Sequence, residues 1–203
     1  RRRIALARRN VAVPSPELSI GRKVDLNAEE FRAKAVSFFL NEEYGSAAAA
    51  MLAGLASESV NDEKCPRTQF DFIDSSGRLA FLESVLELMK KADPKRLEAS
   101  LFRPWNRADE KYCLRFDPVE DRRYALLDRD PTASDNKSTS EWMANLLAYR
   151  ALSQFPCVTT ERGSETTAWA KHSDSWCFTW PVWGRPLALM TIRSLVAHRD
   201  LSV

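Results

Sequence analysis

Histidine and paired cysteines, which metal sites use most often, are scarce in this sequence. Its two histidines, His172 and His198, are too few for a histidine-rich metal site and leave a histidine general base hardly available. Its four cysteines lie at least 20 positions apart and form no C-x-x-C pair, which fits neither a compact zinc module nor a disulfide scaffold. Glycine-rich phosphate loops and a nucleophile elbow are also missing from the sequence. We therefore expect no metal site and no cofactor.

Long hydrophobic runs and an excess of one charge are missing as well. No stretch approaches the roughly 18 consecutive apolar residues of a membrane-spanning helix, so we expect a soluble, cytoplasmic protein. The 30 basic and 28 acidic residues leave a net charge of +2, which excludes a histone-like polycation but not a local basic surface. Hydrophobic residues make up 44% of the 203 residues, enough to bury a core.

Helical spacing of apolar residues dominates the sequence pattern, and short alternating runs lie mostly after residue 66. Helix starts are marked by three pairs of residues: Asn27 with Glu30, Asp93 with Pro94, and Ser138 with Glu141. Alternation predicts strands at Gln69–Ile73, Tyr112–Phe116, Cys157–Thr160, Thr166–Trp169 and Trp176–Trp180. The pattern predicts an α+β fold, mainly helical, with a small mixed or antiparallel sheet formed after residue 66.

The first 26 residues differ in composition from the rest. The first nine contain five arginines and no acidic residue, and two prolines follow within the next seven. We interpret residues 1–26 as a basic arm with an extended linker. Residues 27–203 are predicted to form a single α+β domain, with a helical part at 27–65 and a mixed part at 66–203.

Arginine and aromatic residues alternate through residues 101–127. Arginine forks suit phosphate groups and aromatic faces suit bases, so this mixture is typical of a nucleic-acid groove. We predict nucleic-acid contacts by seven residues: Arg103, Trp105, Arg107, Lys111, Arg115, Arg122 and Arg123. In the alternative, which composition by itself favours, the aromatic residues are core and the basic ones pair with Asp109, Glu110, Glu120 and Asp121.

An acidic set at Asp117, Glu120 and Asp121 lies within the same segment. Clustered carboxylates can bind Mg²⁺, so a metal-dependent nuclease is one hypothesis. Because arginines are interleaved with these acids, an ion-pair network that fixes a turn is the favoured interpretation.

A run of aromatic residues, WCFTWPVW, occupies residues 176–183. Alternation predicts that Trp180 lies on the buried face of a strand. Trp183 follows Pro181, outside that strand, and Arg185 comes soon after. Trp183 and Arg185 are therefore the candidate contacts with a partner protein.

Several of these segments resemble CRISPR-associated proteins of type I effector systems. The strongest block is FRPW followed by LRFDPVEDRRYAL within residues 102–126, and FDF at 70–72, LLAYRALSQFP at 146–156 and FTWPVW at 178–183 strengthen it. The match is nearest to subtype G (formerly U) and covers about residues 66–197.

This resemblance implies a non-catalytic, large-subunit-like or accessory subunit of an RNA-guided (Cascade-like) complex in antiviral defence. The implied partners are other CRISPR effector subunits, guide RNA and target DNA, with no membrane, no catalytic residue and no cofactor. In such complexes guide pairing reads the sequence while protein subunits hold backbone phosphates. Two alternatives remain: a protein-binding scaffold that docks through Trp176–Trp183, and the nuclease that uses the acidic set.

Overall fold

A mainly helical α+β fold is present in the computed structural model, which describes residues 16–58, 64–70, 81–116, 139–161 and 163–198. Within these ranges there are six α-helices and three separate two-stranded antiparallel ladders. The predicted fold class is confirmed, and the strands after residue 66 pair antiparallel. No helix in the described ranges is long and apolar enough to cross a membrane.

Two of the six described helices begin at capping side chains that the sequence predicts. The bounds of all six are α1 Ala28–Phe39, α2 Gly45–Leu55, α3 Phe81–Lys90, α4 Pro94–Phe102, α5 Trp142–Ala151 and α6 Leu189–Val196. Asn27 forms the predicted capping box with Glu30, with both hydrogen bonds at 2.9 Å. The side chain of Asp93 accepts from the first turn of α4, behind Pro94 at its start. Both predicted helix starts are confirmed.

The strands are short and pair as two hairpins and one small bridge between distant segments. They are β1 Asp109–Glu110, β2 Thr139–Ser140, β3 Cys157–Thr160, β4 Gly163–Thr166, β5 Trp169–His172 and β6 Ser175–Phe178. The β3–β4 hairpin pairs Cys157 with Thr166, and the β5–β6 hairpin pairs Trp169 with Phe178. The predicted strand at 157–160 is confirmed. The predicted strand at Trp176–Trp180 lies at Ser175–Phe178 instead, and the one at Thr166–Trp169 is wrong because it spans the turn between β4 and β5.

Two compact units divide the chain. Described residues of unit 1 lie within 16–24 and 70–150, and those of unit 2 lie within 25–69 and 151–198. Each unit is therefore assembled from two stretches that are far apart in sequence. The prediction of one domain over residues 27–203 stays a prediction.

The core of unit 1 is built by α3 and α5. Phe81 on α3 lies 6.0 Å from the ring of Tyr149 on α5, and both are almost completely buried. The Tyr149 hydroxyl donates to the carboxylate of Glu17 at 3.1 Å, and Arg150 lies 3.5 Å from the same oxygen. Burial, with the nearby Glu17 carboxylate, raises the pKa of Tyr149 well above its ordinary value.

The segment before α1 is not an extended linker where the structure describes it. Pro16–Ile20 is a 3₁₀ helix that buries Glu17 and Leu18. Farther along, Val24 and Leu26 are also buried. The predicted linker is therefore wrong for residues 16–26, because a buried carboxylate with a tyrosine partner ties this stretch down.

Unit 2 packs α2 against the turn that follows α5. Leu52 and Leu55 on α2 are about 1% exposed. A Cβ atom on Gly54 would lie 2.3 Å from the carbonyl oxygen of Leu152, so this position requires glycine for the close approach. Phe155, which follows this contact, is buried and anchors aromatic rings described below.

The predicted strand at Tyr112–Phe116 is wrong. These residues are irregular, and the backbone N–H of Leu114 donates to the side chain of Asn145 at 2.9 Å rather than to a neighbouring strand. Tyr112 and Arg115 have φ of 51° and 58°, which are incompatible with an extended strand. The predicted strand at Gln69–Ile73 lies mostly outside the described residues, and its first two residues form a turn.

Candidate nucleic-acid interface

Residues 103–116, here called the basic loop, leave α4 and run to the end of a described range. The loop has little regular structure, but specific polar contacts hold it. Near its start, the indole N–H of Trp105 donates to the carbonyl oxygen of Ser100 at 2.9 Å. Near its end, the N–H of buried Leu114 donates to Asn145 on α5. Both ends are therefore fixed on helices of unit 1.

Asp109 anchors the middle of the basic loop. One carboxylate oxygen lies 2.5 Å from the guanidinium of Arg96 on α4. The other accepts from the backbone N–H of Trp142, the first residue of α5, at 2.9 Å. Such a bond satisfies a helix N-terminal donor that otherwise lacks a partner within the helix. The sequence predicted Ser138 as a cap of this helix, and Ser138 lies outside the described residues. In the structure, Asp109 of the basic loop accepts from the first backbone N–H of the helix.

Two cations lie close to the ring of Trp142. The ammonium of Lys91 is 4.5 Å from the ring centroid and the guanidinium of Arg96 is 4.9 Å away. The indole N–H donates to the carbonyl oxygen of Lys111 at 3.1 Å, and the Tyr112 ring is 6.4 Å away. The tryptophan therefore brings together Lys91, which follows α3, Arg96 of α4 and Lys111 of the loop.

The backbone of the basic loop is left-handed at four non-glycine residues. Arg107, Lys111, Tyr112 and Arg115 have φ between 50° and 69°, and the described chain has only two other such residues. Each sparsely populated conformation costs on the order of 1 kcal/mol, and such residues concentrate at functional sites. Three of the four are basic residues that the sequence predicted as nucleic-acid contacts. This coincidence identifies the loop as the best candidate site in unit 1.

The structure brings five of the seven predicted contact residues into the basic loop. They are Arg103, Trp105, Arg107, Lys111 and Arg115, whereas Arg122 and Arg123 lie outside the described residues. Arg103 and Lys111 are exposed, and in the part of the chain that the structure describes neither side chain forms an ion pair. Arg107 and Arg115 are half-buried. The first two are the better candidates for contact with an external phosphate.

Charge concentrates around this loop. Residues 90–115 carry eight basic and four acidic residues, a net charge of +4 in a chain whose total is +2. Glu87 raises the pKa of Lys90 at the edge of this region through a hydrogen bond, which favours its charged form. Sequence reasoning missed Lys91, Arg96 and Trp142, because separate elements bring them together. The Lys-Lys pair at the end of α3 was the one local signal.

The aromatic segment, Trp176–Trp183, belongs to unit 2 and packs ring against ring. Phe155 lies 5.7 Å from both Phe178 and Trp180, and Trp180 lies 5.5 Å from Trp183. Trp180 is 43% exposed while Trp183 is half-buried. The prediction that Trp180 is buried and Trp183 exposed is wrong, because the strand ends at Phe178 and its alternation does not reach Trp180.

The acidic set Asp117, Glu120 and Asp121 lies outside the described residues, so the structure does not test the nuclease hypothesis. Within the described ranges, no group of three or more histidine, cysteine, aspartate or glutamate side chains could hold a metal ion. Arg185, the other candidate partner contact, is exposed.

Comparisons with known proteins identify no relative of this chain. No family model, no curated protein and no solved structure matches its sequence or its fold.

Proposed function

We propose that this chain is a non-catalytic, cytoplasmic subunit of a CRISPR RNA-guided surveillance complex that binds nucleic-acid backbone through the basic loop. The CRISPR part of the proposal is supported by the resemblance of residues 102–126 and the shorter segments around them. In such a complex the protein holds phosphates while the guide reads sequence, which needs cations but no catalytic group. The other subunits, guide RNA and target DNA are the proposed partners.

One observation carries the nucleic-acid part of the proposal. Arg103 and Lys111 are exposed, without an ion pair among the described residues, in a region of net charge +4. Arg96, by contrast, is already paired with Asp109 at 2.5 Å. If the basic residues served only an internal salt-bridge network, Arg103 and Lys111 would be paired with carboxylates as Arg96 is. The uncommitted cations therefore favour an external anion, and a phosphate backbone supplies one at regular spacing.

The test removes the two uncommitted cations together. Binding of the full chain to a labelled single-stranded oligonucleotide is measured by fluorescence anisotropy for wild type and for the Arg103→Ala/Lys111→Ala double variant. We expect the double variant to bind at least about tenfold more weakly, since each charged hydrogen bond contributes roughly 1.5 kcal/mol. The matched control is Lys171→Ala/Arg185→Ala, which removes two exposed cations from unit 2.

Equal losses in the two double variants would mean that only net charge matters and that the basic loop is not the site. Absence of binding by wild type would contradict the nucleic-acid function itself.

A protein-docking function of the aromatic segment is the second candidate. Trp176, Phe178 and Trp180 are between 42% and 47% exposed, and Val182 is 95% exposed. Exposed apolar side chains that are neighbours in space are typical of interaction surfaces. This hypothesis requires that salt weaken complex formation only slightly, because an apolar contact releases few counterions.

A further inference from the structure

Two exposed aromatic side chains flank Arg103 at the start of the basic loop. Phe102 is 74% exposed and Trp105 is 44% exposed. Across the described ranges, no aromatic ring and no cation lies over either side chain. Covering large exposed apolar faces with a flat partner removes them from water and is therefore favourable.

Trp142 shows what a covered tryptophan looks like in the same unit. Its ring is occupied by Lys91 and Arg96, and its N–H is bonded to the loop. Trp105 has the same kind of N–H bond, to Ser100, but no aromatic ring and no cation among the described residues covers its ring, and it is 44% exposed. The two tryptophans therefore differ in what covers the ring and not in how the indole N–H is held.

The Trp105 ring is also held in place before any ligand arrives. Its N–H is fixed 2.9 Å from the carbonyl oxygen of Ser100, which is part of α4. Pro104, which precedes it, restricts the backbone φ angle. A side chain that is already ordered loses little entropy when a ligand stacks on it.

We propose that Phe102 and Trp105 are a stacking platform for unpaired bases, so the ligand of the basic loop is a single strand rather than a duplex. This inference rests on the proposed nucleic-acid function and adds the ligand class. Base faces are accessible in a single strand and are covered by neighbouring base pairs in a duplex. Arg103, between the two aromatic residues, is placed to bind the phosphate that joins the stacked nucleotides.

Charge complementarity favours this occupant over an apolar protein partner. The platform lies within a region of net charge +4, whereas the aromatic segment of unit 2 carries no charged residue between Trp176 and Trp183. A purely apolar partner would have to leave Arg103 and Lys111 without a counter-charge at the interface, which costs free energy. A nucleic-acid strand supplies both the flat faces and the phosphates.

The experiment compares single-stranded and duplex oligonucleotides of the same sequence on the full chain. We expect tighter binding of the single strand. Trp105→Ala should weaken single-strand binding by roughly 5- to 160-fold, since base–aromatic stacking contributes about 1–3 kcal/mol per base. It should leave the weaker duplex binding nearly unchanged. Trp105→Phe keeps a ring and should retain most of the affinity, whereas Trp105→Leu should not.

A second variant guards against a change in folding. Trp105→Ala also deletes the bond to Ser100, whereas Phe102→Ala removes only an exposed ring. Phe102→Ala should weaken single-strand binding with an unchanged melting temperature.

The outcomes separate the two proposals. If single strand and duplex bind equally, and Trp105→Ala and Phe102→Ala have no effect while Arg103→Ala/Lys111→Ala weakens binding, the stacking inference is wrong and the nucleic-acid function stands. A Trp105→Leu variant that binds like wild type would also refute stacking. If wild type binds neither oligonucleotide, both proposals are wrong.

Discussion

The basic loop and the aromatic segment look alike in sequence, because each places tryptophans near arginine, but they are held in different ways. Polar anchors fix the basic loop: Asn145 holds Leu114, and Asp109 is bonded to both Arg96 and α5. The aromatic segment is fixed by rings that contact one another around Phe155. The loop exposes two cations that form no ion pair among the described residues, whereas the segment exposes apolar rings.

Composition alone does not distinguish a phosphate-binding surface from an apolar docking surface, but the contacts that hold each segment do. Polar anchors and left-handed residues hold a loop in a shape that its own hydrophobic contacts would not produce. Ring-on-ring packing needs no such anchors, and the exposed faces are the outer part of a small cluster. If the comparison is correct, damage to one surface leaves the other intact.

The largest expected effect follows removal of the central ring of the aromatic segment. Phe155 is 5% exposed and contacts two rings of the segment. We expect Phe155→Ala to lower the free energy of unfolding by about 3–5 kcal/mol. Under native conditions the remaining folded protein should bind a single strand like wild type. A loss in oligonucleotide affinity without a loss in stability would break the comparison.

The next effect concerns the anchor of the basic loop. Asn145→Ala leaves the N–H of Leu114 buried without its acceptor. We expect a loss of roughly 2–3 kcal/mol in the free energy of unfolding and weaker single-strand binding. Asn106→Ala is the matched control, because Asn106 is exposed and, among the described residues, its side chain accepts only from the backbone N–H of Ala108. Similar losses in both variants, measured by denaturant titration, would show that the Asn145 anchor has no special role.

A smaller, pH-dependent effect is expected at Tyr149 in the core of unit 1. Tyr149→Phe removes the bond to Glu17 and should cost about 1.5 kcal/mol near neutral pH. Because burial and Glu17 raise the pKa of Tyr149, the folded protein keeps a proton that the unfolded chain releases near pH 10. This contribution is complete below about pH 10 and declines above it. The stability difference between wild type and Tyr149→Phe should therefore shrink as the pH rises beyond 10, and a constant difference would contradict the assignment.

The smallest effects are expected from the tryptophans of the aromatic segment. Trp180→Ala should lower the free energy of unfolding by roughly 1 kcal/mol or less, since Trp180 is 43% exposed. Trp183→Ala should cost more than Trp180→Ala, because Trp183 is half-buried. Melting temperatures of the two variants decide this order. If Trp180→Ala lowered the melting temperature more than Trp183→Ala, the original prediction of a buried Trp180 would be favoured instead.

Local signals made part of the fold predictable. The capping box at Asn27, the Asp-Pro start of α4 and the strand at Cys157–Thr160 depend on neighbouring residues, and each is confirmed. The irregular path of residues 112–116 depends on Asn145, about 30 residues away, and no periodicity reports such a contact. The need for glycine at position 54 likewise comes from its contact with Leu152, which is far away in sequence.

The candidate site also has one part that the sequence predicts and one part that depends on contacts between distant residues. The basic and aromatic residues of the loop are visible in sequence as composition. Which cations are already engaged is not visible, because the Arg96–Asp109 pair and the Lys91–Trp142 contact join separate elements. Of the five predicted contact residues that the structure describes, Arg103, Trp105 and Lys111 are exposed, and Phe102 is an exposed neighbour that the prediction did not include. Arg122 and Arg123 lie outside the described residues, so their role stays a prediction.

Salt dependence of single-strand binding tests the central claim most directly. The logarithm of the binding constant is measured against the logarithm of salt concentration, from about 50 to about 200 mM, for wild type and Arg103→Ala/Lys111→Ala. Wild type should weaken steeply, and loss of two phosphate contacts should make the slope shallower by about 1.4. A flat wild-type line, or two parallel lines, would contradict the claim that these residues bind phosphate.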